Sequence, residues 1–460
     1  MILSAVFLLP NLAPMNARRP LVITIGALLP AFFALLPTAT RADWTVQYGN
    51  ASSNVGISVA TDSAGHVFTG GYTDSGLNGQ SSLGGTDGYV AKYDSSGTVQ
   101  WTNLFGTASA DYVFGVTTVG SGVAAAGYTG SGLPGQSYAG GQDAMVRLYD
   151  SSGATLWTRQ WGTAGIENAR SVAADGAGHL YIGGYTSGSF SGYTNAGGND
   201  LFVTQLNAAT GAVNWTFQLG TTGSDQGMGV AADSAGNVYL GGYTTGALPG
   251  QTSAGGSDAF VLKLDVTGTL QWTQQFGSSG SDAVRGIAVD STGAVLTAGY
   301  TAGTLIGQTS AGSFDAFAQK RDASGNVVWT SQFGTAVNDL AHGVAVDSAN
   351  QVVVGGYTDG AFPGEVDAGA ADALVRVLSP AGTEVFTDQI GSTGNDTASG
   401  VATDTFGHAY LAGNAGGALP GQTSAGSVDG FLIQTAVPEP TTAALLALGL
   451  LALPRRRRAR

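Results

Sequence analysis

The sequence predicts an all-β fold: a seven-bladed β-propeller with four-stranded blades, the N-terminal strand closing the last blade. Three observations predict it. A "GGYT"-like segment recurs with Tyr72, Tyr128, Tyr185, Tyr243, Tyr300 and Tyr357, and Asn414 takes the seventh place, in steps of 56, 57, 58, 57, 57 and 57 residues. An aromatic series, Trp44, Trp101, Trp157, Trp215, Trp272 and Trp329, then Phe386, runs in phase with it. The two ends of the repetitive body are complementary halves of one unit: it begins with "WTVQYG" (Trp44–Gly49) and ends with "DGFLIQT". A period this regular marks a repeat architecture.

Composition agrees. The 460 residues include 74 glycines and no cysteine, which suits a turn-rich β-protein and rules out a disulfide framework or a thiolate metal site. The body of about 390 residues exceeds the roughly 250–300 at which single cores stop growing, so it should be modular.

The first element, residues 1–42, reads as a secretory signal peptide. Met15–Ala42 has a basic start, an apolar run from Leu21 to Leu36 and small residues before Asp43. Met15 is the candidate true start, because an apolar run ahead of the basic region is unusual for such a leader. Prolines and the abrupt change at Asp43 argue against a transmembrane helix.

The second element, residues 43–436, is the propeller. Each unit reads as four short strands. In the fourth unit these are Gly227–Asp233, Asn237–Thr244, Asp258–Asp265 and Thr269–Gly277, rich in Val, Tyr, Phe, Trp and Thr. "DSAGN" and "DVTG" join strands one to two and three to four. Their Asp bonds the local backbone and their Gly takes positive φ. A four-stranded unit of about 57 residues in seven copies is a propeller signature. The lone starting strand should lie beside Phe431–Thr435 and complete the seventh blade. An open solenoid of the same units is the rival, but it would want atypical capping repeats rather than complementary ends.

The units resemble the bacterial β-propeller repeat family SBBP. Its pattern is similar to "GVAxDxxGNVYxxGYT…DAFVxKLDxxGxxxWTxxFG", which Gly229–Thr244 and Asp258–Gly277 match closely. The resemblance covers about Asp43–Thr435 and implies a propeller but no single activity. Unit two departs from the pattern: "TTVGSGVAAAGYT" lacks the turn Asp.

Charge narrows the partners. Residues 43–436 hold 9 Lys+Arg against 30 Asp+Glu, a net −21 that the whole-chain value of −14 conceals. An acidic body excludes nucleic acid, whose phosphates need a basic face.

The tight turns share one face of the disc and the long loops, such as Thr244–Ser257 and Gly220–Gln226, share the other, so a binding site is expected on the long-loop face or at the channel mouth. The binding candidates there are Gln80, Gln136, Gln251, Gln308 and Gln422, together with Glu167 and Arg170; Tyr193 and Glu365 replace Gln in units three and six. Asp111, Asp225, Asp282, Asp339 and Asp396 on the inter-blade loop are the candidate calcium ligands, since calcium wants oxygen donors. Calcium is the one cofactor these groups suit, and no other is expected. The competing reading is that each Asp accepts backbone N–H bonds and pins its loop. It is preferred, because a group present in every unit does what every unit needs and no dense D-x-D-x-D-G loop occurs.

For catalysis, symmetry must break. Glu167 and Arg170 stand where other units carry Ser, Asp or Ala, and Arg285 and Glu365 are similar singletons. The sequence names no catalytic residue. It has no nucleophile elbow and no phosphate loop. His66, His179 and His408 follow Gly in the first tight turn, and His342 stands alone at the start of an inner strand.

The third element, residues 437–460, shares nothing with the repeats. Pro438, Glu439 and Pro440 precede an apolar run, Ala443–Leu453, and a cluster of Arg455, Arg456, Arg457 and Arg458. That order resembles the PEP-CTERM sorting signal of Gram-negative envelope proteins. The resemblance implies an exosortase-type processing enzyme as partner, cleavage near Pro438–Pro440, delivery to the outer surface and association with exopolysaccharide. Eleven residues at about 1.5 Å each give roughly 16 Å, short of the roughly 30 Å hydrocarbon core, which favours transient membrane contact over a permanent span.

The function expected from the sequence is therefore that of an exported cell-surface binding or scaffold module, with carbohydrate or an envelope protein as partner. The alternatives are a polysaccharide-acting hydrolase or lyase with its site on the long-loop face, and a purely structural matrix protein.

Overall fold

The computed structural model describes residues 44–438. The signal-peptide segment with Met15, and Glu439, Pro440 and Arg455–Arg458 of the tail, lie outside the described residues. Within them the chain forms seven four-stranded antiparallel sheets and one two-stranded hairpin, Gly76–Leu77 with Gln80–Ser81. The fold is the seven-bladed propeller that the periodicity predicts.

Blade four shows the plan. Its inner strand is Asp225–Ala232, followed outward by Val238–Thr244, Asp258–Leu264 and Leu270–Phe276. The inner strand starts two residues earlier than the sequence suggests. Asp225 pairs with Thr244, and its backbone N–H donates to the Asn199 carbonyl of the preceding blade at 2.7 Å. Asp225 and its equivalents are thus the first residues of inner strands rather than loop residues. Blade two, lacking the turn Asp, instead makes a tighter hairpin with Val119 opposite Gly122 and Gly120 at φ 60°.

Closure follows the split predicted from the two ends. Trp44–Tyr48 pairs antiparallel with the last strand, Asp429–Ala436, in the register Trp44 opposite Gln434 through Tyr48 opposite Gly430. Gln47 there does what Gln160, Gln218, Gln275, Gln332 and Gln389 do in other outer strands. Its Oε1 accepts the Leu419 backbone N–H at 2.9 Å and its Nε2 donates to Asp429 at 2.9 Å. The Tyr48 and Tyr89 hydroxyls meet at 2.6 Å and join the clasp to blade one.

A sheet alone leaves both faces wet. Here seven apolar clusters fill the seven gaps between neighbouring blades. The cluster of Tyr48, Val59, Val67, Tyr89, Tyr410 and Leu432 joins blade seven to blade one and would not exist in an open array.

The tryptophans add a directed bond to each gap. The Trp215 indole N–H donates to the Val266 carbonyl in the next blade's outer hairpin at 3.0 Å, and its ring lies against Gly268, where a Cβ would come within 2.8 Å. Gly268 also has φ +83°, so the position excludes a side chain twice over. Trp44, Trp101, Trp157, Trp272 and Trp329 repeat the bond to Ser95, Ser151, Ala208, Ala323 and Pro380. Phe386 breaks the series where blade six faces the split blade, in which no hairpin joins the last strand to the outer one, and it packs in the same cluster as Val437.

Two outcomes test this account. Trp215→Phe should cost about 1–2 kcal/mol in denaturant unfolding, whereas Phe386→Trp should gain nothing, since no hairpin there fixes a carbonyl for its new N–H. Removing residues 44–48 should lower the melting temperature and promote self-association through the bared edge of Asp429–Ala436; a monomeric variant with unchanged melting would contradict the clasp.

Candidate functional site

The long-loop glutamines sit on the outer rim. Gln136 Oε1 accepts the backbone N–H of Gln160 at 3.0 Å, Gln251 that of Gln275 at 3.0 Å, and Gln308 that of Gln332 at 3.0 Å. Gln80 and Gln422 do the same for Leu104 and Gln47. Each caps an outer-strand donor that would otherwise face water as a bare sheet edge. They are spread around the circumference and do not converge on one point.

The carboxylates that open the inner strands are buried and hold the inter-blade loops. Asp282 accepts from Ser278 N–H at 2.7 Å and from its hydroxyl, and Asp225, Asp339, Asp396 and Asp111 accept from Thr221, Thr335, Ser392 and Thr107 in the same way. Glu167 occupies this place in blade three, accepting the hydroxyls of Thr163 at 2.7 Å and Thr186 at 2.6 Å. Among the described residues no group of three or more His, Cys, Asp or Glu is arranged to hold a metal ion. Burial pushes the carboxyls of Asp111, Asp282, Asp339 and Asp396 above their usual range. The Thr and Ser bonds offset this in part, and the neighbouring carboxyls of Asp87, Asp258, Asp315 and Asp372 add to it.

Arg170 lies only three residues from Glu167 but belongs to a different place. Every inner strand carries a β-bulge at its fourth residue, marked by a register shift in all seven sheets. The bulged residue is Ile57, Phe114, Arg170, Met228, Arg285, His342 or Ser399 in blades one to seven. These seven side chains line one cavity of about 450 Å³ on the central axis, together with Tyr72 and Tyr112. The lining contains no carboxylate.

The residue after each bulge is Ser58, Gly115, Ser171, Gly229, Gly286, Gly343 or Gly400, and packing explains why. A Cβ on Gly286 would meet the Val344 backbone N of the next blade at 2.8 Å, so inner strands touch backbone to backbone around the throat. Where Ser replaces Gly, its hydroxyl accepts a neighbour's N–H: Val116 to Ser58 at 3.0 Å and Val230 to Ser171 at 3.2 Å.

The cavity is lopsided. On one side Tyr112 stacks on Phe114 at 5.7 Å, with Tyr72 and Tyr128 against Tyr112 at 4.5 and 5.0 Å. Further round the ring are Arg170, Arg285 and His342. The Arg170 guanidinium lies 4.1 Å from the Phe114 ring centre and that of Arg285 5.5 Å from Tyr300. The His342 ring meets Tyr357 edge-on at 5.6 Å. Burial, and then the charges of Arg285 and Arg170, push the imidazole down to about 3, so it is neutral at physiological pH. His66, His179 and His408 are elsewhere, each with Nδ1 on its turn aspartate, Asp62, Asp175 or Asp404.

The sequence singles out Arg170, Arg285 and His342 separately. It misses Ile57, Phe114, Met228 and Ser399 and the fact that all seven converge. The signal is present: in the aligned copies the residue before the Gly or Ser of "GISVA", "VFGVT", "ARSVA", "GMGVA", "VRGIA", "AHGVA" and "ASGVA" is different in almost every unit, between near-constant neighbours.

Comparison with known proteins agrees with the blade plan. Residues 214–249 and 271–307 match the family model described as SBBP, beta-propeller repeat. These two stretches are similar to the SBBP repeat, and the rest of the chain repeats the same β-propeller unit. Each match straddles a blade junction, from an outer strand through the first two strands of the next blade. The regulatory protein FlaEY of Caulobacter vibrioides is 27% identical over 352 residues, 66% of this chain and 36% of that protein. The uncharacterized WD repeat-containing protein L264 of Acanthamoeba polyphaga mimivirus is 22% identical over 429 residues, 68% of this chain and 31% of that one. The chain thus spans about a third of the length of the curated relatives it matches. Among solved structures, the Neurospora crassa Pan2 WD40 domain superposes with a TM-score of 0.49 at 10% identity, covering 88% of this chain and 99% of that one. The quinohemoprotein alcohol dehydrogenase of Comamonas testosteroni superposes with a TM-score of 0.45 at 11% identity, covering 88% and 78%. Neither likeness says anything about the cavity.

The carboxyl groups predict an unusual pH dependence. In the turn aspartates Asp62, Asp175 and Asp404 burial raises the carboxyl, but the bonds from His66, His179 and His408 and from the turn backbone outweigh it and hold it below the ordinary 3.8. Their contribution to stability is complete above about pH 4 and is lost as pH falls through the lowered values. Asp111, Asp282, Asp339 and Asp396 act oppositely: their contribution is complete below about pH 4 and is lost as pH rises through the raised values. Melting temperature measured across the acidic and neutral range should therefore peak at about pH 4–5; a rise that continues to pH 8 would contradict the assignment.

Proposed function

We propose that this protein is an exported propeller that works at the cell surface as a binding or scaffold module of the envelope or extracellular matrix, with carbohydrate or protein as its partner. The observation that carries the reading is the bulge ring. Seven near-identical blades place almost wholly different side chains at one position, and that position converges on one cavity. A residue that serves the blade repeats with the blade; one that varies around a shared cavity serves something in the cavity. A purely structural matrix protein needs no such ring.

The exits of the chain support display. Trp44 lies opposite Gln434, and Val437 donates to the Gly407 carbonyl in a tight turn at 2.8 Å. Both ends of the described chain therefore leave from the tight-turn face. A leader and a PEP-CTERM tail attached there, processed by an exosortase-type enzyme, would leave the long-loop face and its channel mouth directed outward.

The second reading, an enzyme acting on polysaccharide, is favoured only in one form. Hydrolysis by two carboxylates has no carboxylate in the cavity to perform it. Two arginines, a neutral imidazole and tyrosines instead suit elimination from a uronate. Arg170 and Arg285 would neutralise the substrate carboxylate, a neutral base would take the proton from the carbon that bears it, and the glycosidic oxygen on the next carbon would depart with a proton as C=C forms between the two carbons.

The test is a glycan array with the purified protein, with and without calcium, followed by assay of bound polysaccharides for new C=C absorbance. Binding without turnover is expected. Turnover abolished by Arg170→Gln would establish the lyase, and no binding to any glycan or envelope protein would leave only the structural role. In cells, replacing Arg455–Arg458 by Gln should abolish surface display.

A further inference from the structure

We propose that the central cavity is an oxyanion site, in which Arg170 and Arg285 hold a carboxylate, phosphate or sulfate group while the body of the ligand lies against Phe114 and Tyr112. This deepens the proposed function and rests on its reading of the channel as the binding site.

Charge bookkeeping comes first. The body has 30 acidic residues and 9 basic ones, yet two of the nine face one cavity whose lining has no acid. Neither Arg170 nor Arg285 makes a hydrogen bond or ion pair among the described residues, and the Arg285 Nε–H is buried with no acceptor. Three other blade arginines each have at least one partner, although the Arg321 Nε–H is likewise buried without an acceptor, and Arg159 is exposed to solvent. Arg376 reaches Glu384 at 3.4 Å and Thr387 at 2.9 Å, Arg321 donates to the Gly325 carbonyl at 2.9 Å, and Arg147 donates to Thr158 at 3.1 Å. A buried charged donor left without an acceptor carries its full desolvation cost. Two guanidiniums in one cavity also repel: burial, and beyond it the charge of Arg285, weaken Arg170's hold on its proton, against the partial relief of Tyr185.

Geometry then narrows the ligand. A guanidinium fork matches the paired oxygens of a carboxylate, phosphate or sulfate. Both arginines are already fixed by aromatic faces, at 4.1 Å from Phe114 and 5.5 Å from Tyr300, so little side-chain freedom is lost on binding. Neutral His342 adds one donor and one acceptor, and Ser399 adds a hydroxyl. Tyr112 and Phe114, the latter beside Arg170, give the cavity an aromatic wall that suits the C–H face of a sugar or another planar body. About 450 Å³ is room for a ligand of one or two rings.

The test is titration of the purified protein with glucuronate, inorganic phosphate, sulfate and, as the neutral probe, glucose, read by calorimetry and by melting temperature. At least one oxyanion should bind saturably and raise the melting temperature. Rising NaCl should weaken it, and Arg170→Gln and Arg285→Gln should each weaken it tenfold or more, while Arg159→Gln, on an exposed strand, should not. Tighter binding of glucuronate than of the inorganic ions assigns an acidic sugar, and the reverse order assigns a free ion. The Gln variants should melt no lower than the parent, since each removes one of two like charges that face the same cavity. A readout on the unaltered protein covers a variant that fails to fold: bound oxyanion should protect Arg170 and Arg285 from an arginine-specific dicarbonyl reagent, mapped by peptide mass. No oxyanion binding, equal binding by the double variant, or unchanged reactivity at saturation would overturn the inference. Neutral glycan binding unaffected by either substitution would overturn it while leaving the binding-module reading intact. Oxyanion binding without any polysaccharide binding would do the reverse.

Discussion

A four-stranded sheet has two apolar faces and cannot cover either one by itself. In this chain every face is covered by the neighbouring blade, so that each of the seven clusters belongs to a pair of blades and to no single one. That dependence makes closure a condition of the whole structure. If Trp44–Tyr48 did not lie beside Asp429–Ala436, the cluster around Tyr48, Tyr89 and Tyr410 would be bared and two blade faces would meet water. The clasp needs no covalent link because five residues of register, the Gln47 bridge and the Tyr48–Tyr89 contact act together.

The polar groups follow the same economy. The carboxylates that open the third strands, Asp143, Asp258, Asp315 and Asp372, the outer-strand glutamines and the loop glutamines form a hydrogen-bonded set that recurs around the long-loop face. Such groups hold binding loops in place but are themselves occupied. Freedom to bind lies where the repeat does not dictate the side chain. The β-bulge supplies that freedom: it lets one residue per blade leave the ladder and point to the axis without disturbing the pairing on either side.

Narrowness of the throat completes the site. Gly or Ser after each bulge allows inner strands to approach within backbone contact, which brings residues from blades three, five and six into one small volume. Arg170, Arg285 and His342 are 57, 115 and 172 residues apart in their three pairs, and none contacts another through local sequence. Their electrostatic coupling, visible in the depressed imidazole of His342, is a product of the ring.

By itself the sequence determined the number of blades, the four strands of each, the tight turns and the split blade. All of these follow from local spacing: period-two strands, Asp–Gly turns and a regular step between tyrosines are written in adjacent residues. It also contained the exception at Phe386, though what that ring faces, the split blade, is a contact between blades. Only the tertiary structure decided which polar residues are free. Glu167 and Arg170 stand together in the sequence and look like one unit, yet one is pinned in a loop and the other faces the axis, because the bulge after Ala169 turns the chain between them. Gln136 and Gln251 look like a ring of ligands from their spacing, yet their oxygens cap outer strands. Position on the axis is a property of seven strands taken together, and no single stretch of chain encodes it.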